Sequence, residues 1–484
     1  MTPGVWQGRV PRLLVCSHRG PVSYREINGE LREGPEMPGG LVPVLTPVLS
    51  CYGGKWISAA ISGADRIAAK NGTAAAQRRV PFETLMLDLP KVVHRRHYQV
   101  VSVAYLGKLF HYLFQPAYDP CFGREFREAW QGYREVNRLF ADATIRERES
   151  EVLLVQDYHL MMLAAQLNDR LNIPKIYFHH VPWCEPDYYS ILSAPFREEV
   201  LEALLQFDVV AFHTQRWACA FIRCCETFLT GSRITEETLA WRGKRVRVIS
   251  APAHLDSAAT LSVASQPRTD EWVTRFQTLR DQRWTLVRVD RADLWKNALR
   301  GFLAFEEFLR LRPDLAGKVW FLAILSPSRM WLPEYRRYIS DCKAVVTRVN
   351  SHWAKRVGKP VITLLLNVDV LSSDRHRALA GLRIADAVLV NSMFDGLNLV
   401  AKEAILVGEA RPVVILSRNA GAHAELANGA ISIDPFDVEQ TAEAIERAYL
   451  MPDAERERRT MLLRDAIISQ TASGWIEQQL AALE

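Results

Sequence analysis

Residues 285–301 read "TLVRVDRADLWKNALRG", one complete strand–turn–helix unit. "TLVRV" alternates as a half-buried strand does, and Leu299, Phe302, Leu303 and Phe305 then recur at helical spacing. That spacing predicts Lys296 close to the first turn of the helix, with Arg288 and Arg291 upstream at the mouth of the strand. A helix start carries free N–H groups and the positive end of the macrodipole, which favour negative charge. Three cations gathered there are either solvated surface charge or the receptor of an anion.

The same unit repeats along the chain. Strands are expected at "RLLVCS" (12–17), "KWISAA" (55–60), "VLLVQD" (152–157), "KIYFHH" (175–180) and "DVVAFH" (208–213). A second series follows at "TLVRVD", "VWFLAIL", "VITLLLN", "DAVLVN" and "VVILS", again separated by helical patterns such as "FREAWQGYREVNRLFADAT" in the first half. Alternating βα units argue for an α/β fold with two doubly wound, Rossmann-like parallel sheets. The polar, weakly periodic stretch between the series, residues 230–272, reads as a hinge region. The expected domains are 1–250, 251–455 and a closing helical segment, 456–484, that could pack back on the first domain. Ligands of open α/β sheets bind beyond the carboxyl ends of the strands, so the chemistry is expected in a cleft between the domains.

Composition narrows the function class. With 484 residues, 49% hydrophobic and 24% charged, the chain can bury large cores. A net charge of +5 gives no support for nucleic-acid binding. No apolar run reaches membrane-spanning length, and "MTPGVWQGRVPRLLVC" lacks the layout of a secretory signal. The eight cysteines show no CxxC pair or zinc spacing; Cys224 and Cys225 read as core thiols. A reduced, cytoplasmic setting without a metal site is expected.

Polar residues collect where strands hand over to helices. Arg19 follows the first strand, Gly39 and Gly40 open a helix, Asp157 ends "VLLVQD", and His179 and His180 end "KIYFHH". Arg329 follows "VWFLAIL", while "NSMFDGLNLVAKE" brings Asp395, Gly396, Asn398 and Glu403. Each has a plain alternative: Asp157 and Asn398 as helix caps, the glycines as turns, the histidines as core. Their shared location, with Arg19, Arg291, Lys296 and Arg329 among them, favours an anionic, phosphorylated ligand.

"PGGLVPVL", "VQDYHLMML", "HHVPW", "DGLNLVAKE", "SRNAGAHAEL" and "DPFDVEQTAEAI" resemble, in this chain order, the blocks of the trehalose-6-phosphate synthase family of retaining glycosyltransferases. The resemblance implies a GT-B fold, with the nucleotide-sugar donor on the C-terminal domain and the acceptor mainly on the N-terminal one. The family pattern Arg-x-Asp-x-x-Lys maps onto Arg291, Asp293 and Lys296, which would hold the donor diphosphate and neutralise it as it leaves. Gly40 and backbone N–H groups near Gly396, Asn398 and Leu399 would add to that cradle. Asp395 and His180 would meet the donor sugar, and Glu403 the ribose. Arg19, Tyr98, Asp157 and Arg329 match the acceptor residues. The implied reaction joins a hexosyl group to a sugar phosphate through an α,α-1,1 linkage. It needs neither a carboxylate nucleophile nor a metal, and no cofactor beyond the nucleotide sugar. The donor nucleotide (GDP, UDP or ADP) is left open, as is a homo-oligomeric state.

The pattern is broken in places. Val103 and Gly107 stand where the acceptor block usually carries Asn and Trp, and losing the Trp is expected to open the acceptor pocket. Phe394 replaces an arginine, and Trp295 and Asn297 replace the common Ser and Gly. "NSMFDG", "SRMWLPEY" and "VPWCEPDYYSIL" resemble the pseudo-glycosyltransferase branch, which couples a nucleotide-linked cyclitol to an aminocyclitol phosphate through a C–N bond. That is the alternative reading; an inactive sensor of sugar phosphates or nucleotide sugars is the third.

Overall fold

The apolar runs form the centres of two parallel sheets. The computed structural model describes residues 10–34, 40–71, 80–167, 170–235, 238–366, 375–468 and 471–484. The chain divides into two units, Met1–Ala253 with Ala472–Glu484, and His254–Thr471.

In the first unit the strands are β1 (Leu13–Ser17), a separate hairpin β2 (Tyr24–Ile27) and β3 (Glu30–Glu33), then β4 (Gly54–Ala59) and β5 (Glu83–Leu87). They continue with β6 (Val152–Gln156), β7 (Lys175–His179), β8 (Val209–Phe212), β9 (Arg233–Thr235), β10 (Thr238–Trp241) and β11 (Lys244–Ser250). The nine-stranded sheet runs β5-β4-β1-β6-β7-β8-β11-β10-β9. Every residue of β1, β6 and β8 is buried, as expected of parallel strands covered on both faces. The helix Arg124–Ile145 buries Phe126, Trp130, Tyr133 and Phe140, a stripe at helical spacing.

The second unit contains β12 (Trp284–Arg291), β13 (Val319–Ser326), β14 (Ile362–Leu366), β15 (Ala387–Val390), β16 (Val413–Ser417) and β17 (Ile431–Ile433). Its sheet runs β14-β13-β12-β15-β16-β17, and all its pairings are parallel. The helix Ala298–Leu311 packs Phe302 and Phe305 against Phe321 of β13, with ring centroids 5.5 and 5.2 Å apart.

Counted within each unit, both sheets contain the doubly wound order 3-2-1-4-5-6. Such a sheet has its switch point between its first and fourth strands, here β1/β6 and β12/β15. The β12/β15 ladder pairs only Leu286 with Ala387 and Val287 with Val388, although β12 continues to Arg291. Beyond Val287 the two strands part and leave a crevice.

Two expectations change. The stretch 230–272 is not a linker throughout, because β10 and β11 pair antiparallel and β11 joins β8 in parallel. Leu239, Trp241, Val246 and Val248 face inward, and Arg242 and Gly243, at φ 46° and 80°, make the hairpin turn. The tail divides: the helix Asp453–Ile468 lies in the second unit, and Ala472–Ala481 in the first. There the Trp475 indole donates to the Ala251 carbonyl at 3.0 Å. Lys296 lies close to the first turn of the helix, as expected: it closes a 3₁₀ turn, Leu294–Lys296, and the helix begins at Ala298.

Candidate active site

Asn297 explains the break before the helix. At φ 62° it occupies the left-handed region, which Asn tolerates better than most side chains. Its amide donates to the carbonyls of Asn391 (2.9 Å) and Pro435 (2.7 Å), tying the β12 loop to those after β15 and β17. Lys296 is thereby turned toward the crevice. Its Nζ donates to Asp395 Oδ2 at 2.5 Å and lies 3.9 Å from Asp290 Oδ1. Burial opposes its charge, but the Asp395 and Asp290 carboxylates outweigh burial and raise the lysine above its ordinary value.

Arg288 and Arg291, three residues apart, have different environments. Arg288 is fully buried, donating to Asp290 Oδ2 at 2.7 Å and to the Lys296 carbonyl at 2.8 Å. Arg291 is about half exposed (46%) and lies 2.8 Å from Asp293 Oδ2. The other oxygen of Asp293 accepts from Arg329 Nη1 at 2.6 Å. Asp293 has no exposed side-chain surface; burial opposes its charge, yet Arg291 and Arg329 hold its carboxyl below the usual range. Arg329 therefore shares a carboxylate with Arg291, within the second unit.

After β15, Asp395 Oδ2 is a hub. Besides Lys296 it accepts from Ser392 Oγ (3.1 Å) and Asn398 Nδ2 (3.0 Å). Asn398 holds the N-cap position of the helix Leu399–Val407 at φ 78°, but its side chain turns to Asp395 and makes no capping bond. Its Oδ1 is buried without a hydrogen-bond partner among the described residues, an acceptor that a ligand hydroxyl would satisfy. Gly421 packs against this loop so closely that a Cβ there would lie 1.9 Å from the Gly396 carbonyl oxygen. Farther along the helix, Glu403 lies 3.4 Å from Arg375, and burial raises its carboxyl.

At the first unit's switch point, Asp157 is left-handed (φ 69°), starts no helix and accepts from the His180 backbone N–H at 3.3 Å. A strained non-glycine residue at a strand end suits a functional position better than a cap. His179 is core: fully buried, with Nδ1 2.8 Å from the Tyr177 hydroxyl. Both ring nitrogens of His180 are engaged, with Gln156 at 2.8 Å and His213 at 3.2 Å, and burial pushes its pKa down to about 3. Gly40 is the N-cap residue of the helix Leu41–Tyr52; Gly39 lies outside the described residues.

Tyr98 leads to a cluster that sequence reasoning missed. Its ring stacks on His18 at 4.5 Å, and His18 also stacks on His159 at 5.0 Å. His18 Nε2 lies 2.8 Å from His94 Nε2, and His97 Nε2 lies 2.8 Å from the His159 carbonyl. Burial holds His18 well below its ordinary pKa, His94 at about 4 and His97 at about 3, so the imidazoles are neutral. Arg19, Tyr98 and Asp157 are each within two residues of a member. That adjacency in "SHRG", "HYQ" and "DYHL" was the available signal. Among the described residues, no three or more His, Cys, Asp or Glu side chains are arranged to hold a metal ion.

The departures at 103 and 107 fall at buried positions of the first unit. Val103 and Gly107 are buried in the π-helix Arg96–Gly107. A Cβ at Gly107 would lie 3.1 Å from the Ser102 carbonyl oxygen and 3.6 Å from the Tyr158 hydroxyl. Phe394 pairs instead with Phe436, centroids 6.3 Å apart.

The sequence pattern of glycosyltransferase family 20 matches residues 11–484, and the chain belongs to that family, which includes the trehalose-phosphate synthases. A probable alpha,alpha-trehalose-phosphate synthase (UDP-forming) of Arabidopsis thaliana is 31% identical over 97% of the chain and 56% of its own length. The chain spans about half the length of such Arabidopsis relatives, a second being covered over 49%. Among solved structures, trehalose-6-phosphate protein from E. coli bound with UDP-2-fluoro glucose superposes with a TM-score of 0.84, at 25% identity, covering 98% of each chain. A UDP-forming synthase from Burkholderia xenovorans in complex with glucose-6-phosphate gives 0.83, at 26% identity, over 98% of this chain and 99% of that one. The fold is GT-B.

Proposed function

We propose that the chain transfers a glucosyl group from UDP-glucose to glucose 6-phosphate with retention of configuration, releasing UDP and trehalose 6-phosphate. The observation that carries this reading is the Lys296–Asp395 pair at the β12/β15 crevice, in a chain of family 20. The E. coli and Burkholderia relatives, bound to a UDP-sugar and to glucose-6-phosphate, support the choice of substrates.

On this reading the second unit binds the donor and the first unit most of the acceptor. Arg291 and Lys296 receive the diphosphate, helped by backbone N–H groups at Gly40, Gly396, Asn398 and Leu399. As the bond to the sugar breaks, negative charge grows on the leaving phosphate and meets two cations already held in place by carboxylates. The departing phosphate oxygen takes the acceptor proton on the same face. Asp395 and Asn398 hold donor-sugar hydroxyls, and Glu403 holds the ribose. His180 meets the sugar by exchanging its bond to Gln156 or His213. Arg19, Tyr98, Asp157 and Arg329 bind the acceptor and its phosphate.

The test is incubation with UDP-, GDP- or ADP-glucose and glucose 6-phosphate, following nucleotide release and disaccharide phosphate. UDP-glucose is expected to give both products. Nucleotide binding without disaccharide phosphate from any donor overturns the reading.

A further inference from the structure

Arg329 is tightly held in the second unit's site. Its backbone is left-handed at φ 48°, a conformation that a long side chain adopts only when its surroundings impose it. Its guanidinium lies over the Trp295 ring, 4.8 Å from the centroid, with the Tyr335 ring at 5.8 Å and the Tyr335 hydroxyl 3.5 Å from Nη1. Asp293 accepts from the same Nη1 at 2.6 Å. The side chain is only 10% exposed, and Trp295 is itself buried.

The Trp295 indole adds an apolar face that attracts the cation and restricts where the guanidinium can lie. A guanidinium restricted in this way presents its planar N–H fork in a defined direction, and that fork matches two oxygens of a phosphate. Asp293 fixes the position along that plane and ties it to Arg291. One carboxylate between two guanidiniums leaves the group cationic, as an anion receptor requires.

We propose that Trp295 is a positioning residue that sets the Arg329 guanidinium for the phosphate monoester of the acceptor. The inference rests on the reading that Arg329 meets that phosphate. It makes Trp295 a determinant of acceptor affinity that acts through Arg329 rather than by touching substrate.

The test is steady-state kinetics with UDP-glucose and glucose 6-phosphate on Trp295→Leu, Trp295→Phe, Arg329→Ala and the Trp295→Leu/Arg329→Ala double variant, with thermal melts to verify folding. Leu keeps apolar bulk without a π-face, and Phe keeps the face. Trp295→Leu is expected to raise KM for glucose 6-phosphate about 5- to 30-fold, the equivalent of roughly 1–2 kcal/mol at about 1.4 kcal/mol per tenfold. KM for UDP-glucose should move far less, Phe should recover most of the loss, and the Leu effect should vanish in the Arg329→Ala background. Equal rises in both KM values, or a Leu effect undiminished without Arg329, overturns the inference. Arg329→Ala raising the acceptor KM while Trp295→Leu does not also overturns it, and leaves the reading of Arg329 standing. An acceptor KM unmoved by Arg329→Ala overturns that reading and the inference together.

Discussion

Lys296 and Asp395, ninety-nine positions apart in sequence, meet at 2.5 Å across the gap where β12 and β15 part. The ammonium is held by a carboxylate whose remaining neighbours, Ser392 and Asn398, are themselves fixed. This preorganised charge is what a departing diphosphate requires. Removing it in Lys296→Ala, or removing Arg291 in Arg291→Ala, should lower kcat by about 10²-fold or more, the scale for losing one preorganised stabiliser. UDP release under saturating substrates measures it.

Arg288→Ala should behave differently. It leaves Asp290 buried beside an empty guanidinium site, and breaking a buried pair from one side costs about 3–5 kcal/mol. Chemical denaturation should show that loss. Rate losses matching Arg291→Ala, in a variant as stable as the native protein, would contradict the separation of the two arginines into structural and diphosphate-binding roles.

Acid should destabilise the fold before most carboxylates titrate. His94, His97 and His180 are depressed from 6.5 to about 4, 3 and 3 by burial, so the folded state keeps them neutral while the unfolded chain takes up protons. Their stabilisation is full above about pH 6.5 and is lost as pH falls toward the folded values. Each such histidine contributes a slope of up to about 1.4 kcal/mol per pH unit in that window. Urea midpoints that hold steady between about pH 7.5 and about pH 5 would contradict this.

Gly421→Ala forces a Cβ toward the Gly396 carbonyl, backbone against backbone, so the loop carrying Asp395 must shift. UDP affinity should fall by about tenfold, with a stability cost on the order of 1–3 kcal/mol. Calorimetric titration with UDP and a thermal melt read the two effects separately.

Much of this was legible before any coordinates. The parallel strands are apolar runs buried on both faces, and such runs announce themselves. That Lys296 and Asp395 would be neighbours was legible because each follows closely on the end of a parallel strand, β12 and β15. The strands β10 and β11, near one end of the first unit's sheet, were not. Their outward faces carry residues such as Arg245 and Arg247, so inward Leu239 and Val246 are diluted by polar neighbours. His18, the His94/His97 pair and His159 lie far apart in sequence, and only the folded first unit gathers them.

Trp475 gives the end of the chain a reach that its position conceals. Its indole donates to the Ala251 carbonyl and packs on Phe178 at 5.0 Å and on His180 at 6.3 Å, beside Asp157 and its neighbours. In connectivity, the second unit is one uninterrupted insertion, and the first is a discontinuous body closed by residues 472–484. A stop codon near residue 471 would therefore remove the wall behind a histidine almost three hundred positions upstream.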